Sequence, residues 1–438
     1  MFLIYCIPWL LFVTLFVGTG AVLTLRGMPN AFSQLSPAVA IIPALVVGWL
    51  IHGETSQKRL EALVDGMRHR DIVTMCVIFL LAGAFCQVTR DIGSIDSMVN
   101  FALSLIPSRF LLVGIFAVSM FISTSIGTSM GTIAAVTPIA AAIGSQAEIS
   151  IPLAIGTVVG GAMFGDNLSF ISDTTIAAVL SQGSDLRKKT KFNSVIAAIA
   201  AGFVLIFLIF AGKTSVDISV GPHSFLLISP YFLLITLALS GVNVFSTLAS
   251  SIAFAGCVGL FSHGNYTILA LSRGISDGFG SMYELVLLTL FVGGLSGLIH
   301  KDFIRKVTEK LSTWAAGRGN GHRLAQWIIG GVASFFALMF ANNTVAIIFS
   351  GEIAREIAKK NGVPPHRSAA WLDTFSCVFQ GIAPYTPQLL LASAIGDISP
   401  LSITRYVVYC YVLGAVATLS ILLFPGKPTE KHPVPTMN

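Results

Sequence analysis

The chain contains 438 residues, of which 54% are hydrophobic and only 11% are charged. A soluble domain of average composition carries about 25% charged residues, so the chain has too little polar surface to cover a water-soluble globule of this size. This composition excludes most soluble enzymes and predicts an all-α polytopic membrane protein. The formal net charge is +6, but no helix-turn-helix or basic aromatic element accompanies it, so we expect no nucleic-acid partner.

Uninterrupted apolar stretches recur along the chain and predict membrane-spanning helices. About 20 residues are needed for one crossing, and only helices or closed barrels satisfy every backbone polar group in lipid. The predicted spans are residues 3–25, 35–51, 72–89, 193–212, 224–240, 244–261, 285–300 and 405–424. The first stretch lacks a basic flank and is longer than a signal-peptide core, so we expect it to be a retained span.

Four further apolar regions are interrupted by Gly, Pro, Ser, Thr, Asn or Asp. They cover residues 110–145, 151–182, 324–354 and 368–396. Such interruptions are typical of re-entrant hairpins and broken helices, which mark the binding site in many transporters. Residues 92–107 predict either an interfacial helix or a short extra span.

The order of elements predicts an internal duplication. Elements that begin at 72, 110, 151 and 193 have counterparts that begin at 285, 324, 368 and 405, at offsets of 213, 214, 217 and 212 residues. A near-constant offset favours two structural repeats, the first over 1–212 and the second over 213–424, followed by a tail at 425–438. The alternative is a chain of 12 or 13 spans without symmetry.

Basic residues indicate the orientation of the two repeats. They concentrate in 52–71, 184–192, 301–323, 355–367 and the tail, and Lys189 is counted among these loop cations. Since Lys and Arg mark cytoplasmic loops, hairpin 110–145 begins and ends outside, whereas 324–354 begins and ends inside. The pattern predicts inverted-topology repeats in an inner (plasma) membrane, with both termini cytoplasmic.

Three acids, Asp166, Asp173 and Asp373, fall within the interrupted segments. A charged side chain at membrane depth costs at least about 2.5–3.5 kcal/mol, so such acids usually face a cavity, a partner or an ion.

The polar string GAMFGDNLSFISDTT, residues 161–175, places Asn167, Ser169 and Thr174 near the first two acids. These oxygens and unwound carbonyls predict a Na⁺ site at Asp166 and Asp173, which protons also occupy in turn. Alternatively, Asp173 only caps a helix that begins at Thr174.

Two further polar strings predict the rest of the site. In STSIGTSMGT, residues 123–132, a shift of 215 residues brings Gly127, Thr128 and Ser129 onto Asn342, Asn343 and Thr344 of FANNTVAII. Both strings predict hairpin tips that bind substrate or form a gate, although a small-residue packing face is an alternative.

The third string, WLDTFSCVFQGIAPYTPQ, covers residues 371–388 and is broken by two prolines. Tyr385, Thr386 and Gln388 lie near this break and are candidates for substrate binding or gating. Asp373 lies more than two turns earlier, so it is either a gating acid or a packing acid.

The motif GDNLSFISDTT, supported by GTSMGT, resembles the NhaC-type Na⁺/H⁺ antiporter family, within the ion-transporter superfamily of inverted-repeat secondary carriers. The family motif resembles G-D-x-x-S-P-x-S-D-T-T, and Phe170 stands here in place of its proline. The resemblance implies Na⁺/H⁺ exchange, an elevator-like motion of a hairpin-containing domain and a homodimer. Some relatives couple ions to amino acids or small carboxylates.

The sequence therefore predicts a secondary transporter, most simply a Na⁺/H⁺ antiporter, and neither an enzyme nor a cofactor-dependent protein. Its expected partners are the lipid bilayer, Na⁺ and H⁺. The alternative is Na⁺- or H⁺-coupled transport of an amino acid or small organic anion. An intramembrane aspartyl protease fits poorly, because Met163 stands at the first Gly of the GxGD pattern. No GxxxxGK[ST] string is present, so ion gradients are the expected energy source.

Overall fold

Every regular element among the described residues is helical. The computed structural model describes residues 2–26, 28, 34–170, 172–212, 221–262, 266–298 and 321–426. Most of the basic segment 301–323, and the predicted tail from 427 onwards, lie outside the described residues.

The first half of the described chain contains twelve α-helices, with one π-helical turn at Thr14–Gly18. The α-helices are α1 Phe2–Val13, α2 Thr19–Leu25, α3 Pro37–Ala40, α4 Ile42–Ile51, α5 Ser56–Met67, α6 Arg70–Asp91, α7 Ser94–Leu105, α8 Leu111–Ile126, α9 Ser129–Gln146, α10 Ile151–Leu168, α11 Asp173–Gln182 and α12 Leu186–Ala211.

The second half of the described chain contains ten α-helices. They are α13 Phe225–Leu239, α14 Val244–Ser262, α15 Ile268–Ser281, α16 Tyr283–Gly297, α17 Gly321–Phe340, α18 Asn343–Asn361, α19 Pro365–Ile382, α20 Pro387–Gly396, α21 Pro400–Thr404 and α22 Val408–Leu423.

Among the described residues, six segments are helical, long enough and apolar enough to cross a membrane. They are Ile72–Asp91, Ser108–Ile126, Ile151–Gln182, Leu186–Ala211, Val244–Ser262 and Gly321–Phe340. The pair α15 and α16, bent by 43°, makes a seventh if it is one span. The predicted spans 3–25, 35–51, 224–240 and 405–424 contain shorter apolar helices of 10–17 residues.

Two helices lie where the sequence predicted none, and a third lies where the sequence left two alternatives open. The predicted basic loop 52–71 contains α5, and α15 precedes the predicted span 285–300. Residues 92–107 contain the 12-residue α7. At 1.5 Å per residue this helix is shorter than the hydrocarbon core of a bilayer, which favours the interfacial helix over the short extra span.

The interrupted segments form two hairpins and two broken helices, and these make up the core. Helices α8 and α9 are one hairpin, α17 and α18 the other, while α10–α11 and α19–α20 are the broken helices. In the most apolar stretch of the first broken helix, 78% is buried, whereas in the most apolar stretch of α12 the buried share is only 33%. The acidic and polar residues of the interrupted segments are therefore enclosed by the longer apolar helices.

The two repeats match at a single offset in the broken helices and at the hairpin tips. Helices α10 and α19 both have 18 residues and begin at 151 and 365, an offset of 214; α11 and α20 both have 10 residues and begin at 173 and 387, again 214. Left-handed backbone positions recur at the same offset in the pairs Gly127 and Ala341, Glu148 and Gly362, and Gly183 and Asp397. The predicted register of the hairpin tips, at 215, is wrong by one residue, so Thr128 corresponds to Asn342 and Ser129 to Asn343.

Equivalent elements run in opposite directions. Gly66 in the last turn of α5, just before α6, lies against Gly297 at the end of α16, and Gly274 in α15 lies against Asp91 at the end of α6. In the same way, Arg367 stacks on Phe192 near the start of α12, at 4.7 Å, and donates to the carbonyl of Phe424 just after α22. The packing is therefore that of an inverted repeat, as the charge pattern predicted.

Candidate functional site

The two hairpin tips and the two helix breaks meet around one cavity of about 130 Å³. Its lining includes nine of the predicted site residues: Thr128, Ser129, Asp166, Asp173, Thr174, Asn342, Asn343, Thr344 and Gln388. They come from the last turn of α10, the tip residue before α9, the tip residue before α18, and the first turns of α9, α11, α18 and α20. The fold thus brings four separate polar strings to one place.

Asp166 is the buried acid of this cavity. Its side chain is 6% exposed, and its two carboxylate oxygens each accept one hydroxyl hydrogen bond. Ser129 donates to Oδ2 at 2.8 Å and Ser172 donates to Oδ1 at 2.7 Å. Thr174 joins the network through a 2.8 Å contact with Ser172. Since a hydroxyl that donates keeps lone pairs free, these groups can also turn oxygens toward a cation.

Close helix packing fixes the depth of Asp166. A Cβ on Gly165 would lie 2.4 Å from both the Cβ of Ser123 and the backbone nitrogen of Thr124 in α8. Ser123 in turn donates to the carbonyl of Ala162 at 2.5 Å. Glycine therefore allows α10 to cross α8 with its last turn, and hence Asp166, against the hairpin tip.

The break after α10 determines which residues form the start of α11. Ser172 occupies the N-cap position, and Asp173 is the first residue of the helix. Asp173 is exposed and lines the edge of the cavity. The alternative that Asp173 itself caps the helix is wrong, and the environments of the two acids differ sharply.

The second hairpin tip consists of a residue that caps α18 and two residues that follow it in the first turn. Asn342 occupies the N-cap of α18, where its Oδ1 accepts a hydrogen bond from the backbone nitrogen of Val345 at 3.0 Å. Asn343 and Thr344 follow in the first turn and line the cavity. Ala341 adopts a positive φ of 48°, which is unusual for a residue with a Cβ, so the tip is held in a strained turn.

The second broken helix brings Gln388 to the cavity but not Tyr385 or Thr386. Gln388 donates to the hydroxyl of Ser129 at 3.2 Å and accepts from Gln380 at 2.9 Å. The Tyr385 hydroxyl donates to the carbonyl of Leu338, and the Thr386 hydroxyl donates to the carbonyls of Gln380 and Ala383, all at 2.8 Å. These two residues stabilise the break instead of lining the cavity.

Asn167 and Ser169 are also buried outside the cavity lining. The Oδ1 of Asn167 accepts a hydrogen bond from Asn193 in α12 at 2.7 Å. Asn193 accepts a 3.4 Å hydrogen bond from Thr374 in α19. Asn167 therefore joins the two broken helices to α12.

Asp373 forms an ion pair with Lys189, and both side chains are at most 1% exposed. The Lys189 ammonium also donates to the carbonyl of Asn167 at 3.1 Å and to the hydroxyl of Thr175 at 2.8 Å. The assignment of Lys189 to a cytoplasmic loop was wrong, because α12 begins at Leu186 and buries this side chain. Asp373 lies beside Thr175, not in the cavity.

Sequence reasoning missed Lys189, Gln380 and Arg70, the last two of which line the cavity. A helical pattern could have revealed Lys189, because Lys189, Asn193 and Ile196 follow the spacing of one buried face. Arg70 is exposed at the start of α6. For Gln380, the register of the two repeats is the only sequence signal that we recognise.

Comparison with known proteins identifies relatives of the first half of the chain. Residues 5–213 match the Na⁺/H⁺ antiporter family. The Na(+)/H(+) antiporter NhaC of Bacillus subtilis is 35% identical over 118 residues, which are 26% of this chain and 25% of that protein. The chain thus matches only about a quarter of the length of this curated relative. The resemblance to Na⁺/H⁺ antiporters is therefore confirmed over part of the chain.

Two other proteins are similar along nearly the whole chain. The arginine/ornithine antiporter ArcD of Halobacterium salinarum is 22% identical over 90% of this chain and 91% of its own length. The solved structure of the Alcanivorax borkumensis YdaH transporter has a TM-score of 0.44 at 12% identity, and the match covers 96% of this chain and 97% of that one.

Proposed function

We propose that this chain, whose residues 5–213 belong to the Na⁺/H⁺ antiporter family, is a multi-pass membrane carrier that exchanges external H⁺ for internal Na⁺. The observation that carries the proposal is the buried Asp166 carboxylate, held by two serine hydroxyls at a helix break. A carboxylate in low dielectric favours either a bound proton or a bound cation. One group that accepts either ion, but not both, is sufficient for coupled exchange.

In this proposal the residues of the cavity have distinct roles. Asp166 binds Na⁺ and H⁺ in turn, and Ser129, Ser172 and Thr174 supply hydroxyl oxygens. Asp173, at the exposed edge of the cavity, attracts cations to it. Thr128, Asn342, Thr344 and Gln388 complete or gate the site. The carrier performs no enzymatic step, and the ion gradient supplies the energy.

The motion and the setting are also part of the proposal. The hairpins and broken helices would move as an elevator-like unit against the outer helices, in a plasma membrane with both termini cytoplasmic. The chain would work as a homodimer, as the resemblance implies. The buried, mutually packed hairpins and breaks support the elevator-like motion. The basic segments support the cytoplasmic location of the termini.

A second candidate function is ion-coupled transport of an amino acid or small organic anion. The observation in its favour is the cavity volume of about 130 Å³, which is several times the volume of about 30 Å³ that one water occupies in the liquid. The similarity to an arginine/ornithine antiporter along most of the chain also favours this second candidate.

Proteoliposomes with an imposed ΔpH test the proposal. Addition of Na⁺ should dissipate ΔpH for the parent protein and not for Asp166→Asn, which keeps the shape of the side chain but removes the charge. Ser104→Ala, at an exposed residue of α7 outside the cavity, is the matched control and should behave as the parent. A response that needs an added amino acid or carboxylate would transfer the assignment to the second candidate. Full Na⁺-driven exchange by Asp166→Asn would contradict the proposed site.

A further inference from the structure

The second repeat contributes an amide where the first contributes its carboxylate. At the offset of 214 that relates the helices, Asp166 corresponds to Gln380, and Ser129 corresponds to Asn343. All four residues line the same cavity. The two halves of the cavity are therefore built on one plan, with the charge present in only one of them.

Both amides have a buried oxygen that is not used in protein contacts. Gln380 is 1% exposed and Asn343 is 4% exposed. The Oε1 of Gln380 and the Oδ1 of Asn343 have no hydrogen-bond partner among the described residues. A buried polar atom without a partner is unfavourable, and buried polar atoms are as a rule satisfied, so two such oxygens at one cavity indicate a ligand that accepts their lone pairs.

The orientation of the Gln380 amide follows from its hydrogen bonds. Its Nε2 donates to the Oε1 of Gln388 at 2.9 Å and to the carbonyl of Ala341 at 3.4 Å. Turning the amide over would bring oxygen against two oxygens, which is unfavourable. The Oε1 is therefore the atom left for a ligand.

Asn342, the neighbour of Asn343, has the opposite character. Its Oδ1 is used to cap α18, and its unpartnered atom is the donor Nδ2. A donor repels a cation but can bind a water in the cavity. The two asparagines of the tip therefore separate into a capping residue and a residue with a free oxygen.

We propose that the side-chain oxygens of Gln380 and Asn343 are direct ligands of the transported monovalent cation, and form an uncharged half-site opposite Asp166. Amide oxygens bind hard cations, as they do in calcium sites. They add no second buried carboxylate, which would repel the first. The charge of one bound cation is then balanced by the charge of Asp166. This inference rests on the proposed cation transport and assigns a further part of its site.

Direct Na⁺ binding to the purified full-length protein in detergent, measured by calorimetry or ²²Na⁺ retention, tests the inference together with the exchange assay. Gln380→Leu should raise the Kd for Na⁺ by about tenfold, since it removes the oxygen and keeps the approximate volume. Asn343→Leu should act in the same direction as Gln380→Leu.

Gln326→Leu is the matched control. Gln326 is a fully buried amide of α17 outside the cavity, and its Oε1 accepts from Trp371 while its Nε2 donates to Pro425. Its loss should leave the Kd of the folded fraction unchanged. Thermal unfolding and gel filtration establish that each variant is folded.

The outcomes separate the two proposals. Parent-like Na⁺ affinity in Gln380→Leu and Asn343→Leu would overturn the half-site and leave Asp166-based exchange intact. A parent protein that neither binds nor exchanges Na⁺ would overturn both. If Gln380→Leu does not fold, Asn343→Leu decides.

Discussion

At the scale of single residues, the ion pair of Lys189 and Asp373 is the contact whose loss should be most damaging to stability. Both side chains are at most 1% exposed, and removal of one partner leaves an uncompensated buried charge. Lys189→Met should therefore destabilise the protein by roughly 3–5 kcal/mol, whereas Lys189→Met combined with Asp373→Asn should recover part of the loss. Thermal unfolding in detergent measures both effects.

Lys188→Met, at the exposed neighbouring position, is the control for the loss of one positive charge. It should change stability by no more than about 0.5 kcal/mol. Equal midpoints for the Lys188 and Lys189 variants would contradict the assignment of Lys189 to the buried network.

The cavity residues show what a single sequence can and cannot indicate about a site. Asp166 and the hairpin tips were predictable, because a carboxylate or a run of hydroxyls within an apolar segment is costly without a role. Lys189 was missed because it lies among loop cations in the sequence, although its helical spacing from Asn193 and Ile196 indicates the buried face of α12. Gln380 is recognised as a candidate site residue only from its correspondence to Asp166 in the other repeat.

At the scale of elements, the crossing of α8 and α10 positions the acid. Gly165→Ala would place its Cβ 2.4 Å from Ser123 and from the backbone of Thr124, so the helices must separate. We expect a loss of roughly 1–3 kcal/mol and weaker Na⁺ binding, because Asp166 follows Gly165 directly. Unfolding midpoints and Na⁺ titration of the purified variant are the measurements.

Gly202→Ala in α12 provides the control for this prediction. A Cβ at Gly202 meets no atom within 4 Å, so the substitution should be neutral or stabilise the helix by about 0.5–1 kcal/mol. If both alanine variants bind Na⁺ and unfold as the parent does, close packing at Gly165 does not position Asp166.

The elements also differ in how well the sequence predicted them. The hairpins and broken helices were found because Gly, Pro and polar residues interrupt their apolar runs, and their breaks at 127–128, 169–172, 341–342 and 383–386 lie within the predicted regions. Helices α5 and α15 were missed. Their sequences, with charges at Lys58, Arg59, Arg273 and Asp277, read as loops, although each is an amphipathic helix packed on the opposite repeat.

At the scale of the whole molecule, the antiparallel packing of the two repeats makes a prediction about the sides of the membrane. Helix α5 begins beyond the end of α16, and α15 begins beside the end of α6, so the first turns of α5 and α15 lie at opposite ends of the packed pair. Ser56 is exposed in the first turn of α5, and Ser272 is exposed near the start of α15. Ser56→Cys should react with a membrane-impermeant maleimide from the cytoplasmic side, and Ser272→Cys from the external side. A Cys257→Ser background removes the thiol that is exposed among the described cysteines, and labelling of oriented vesicles before and after permeabilisation distinguishes the sides. Reaction of both cysteines from one side would contradict the inverted repeat. Asp166 and Gln380 could then no longer be two halves of a site related by an axis in the membrane plane, so this topological test also bears on the cation half-site.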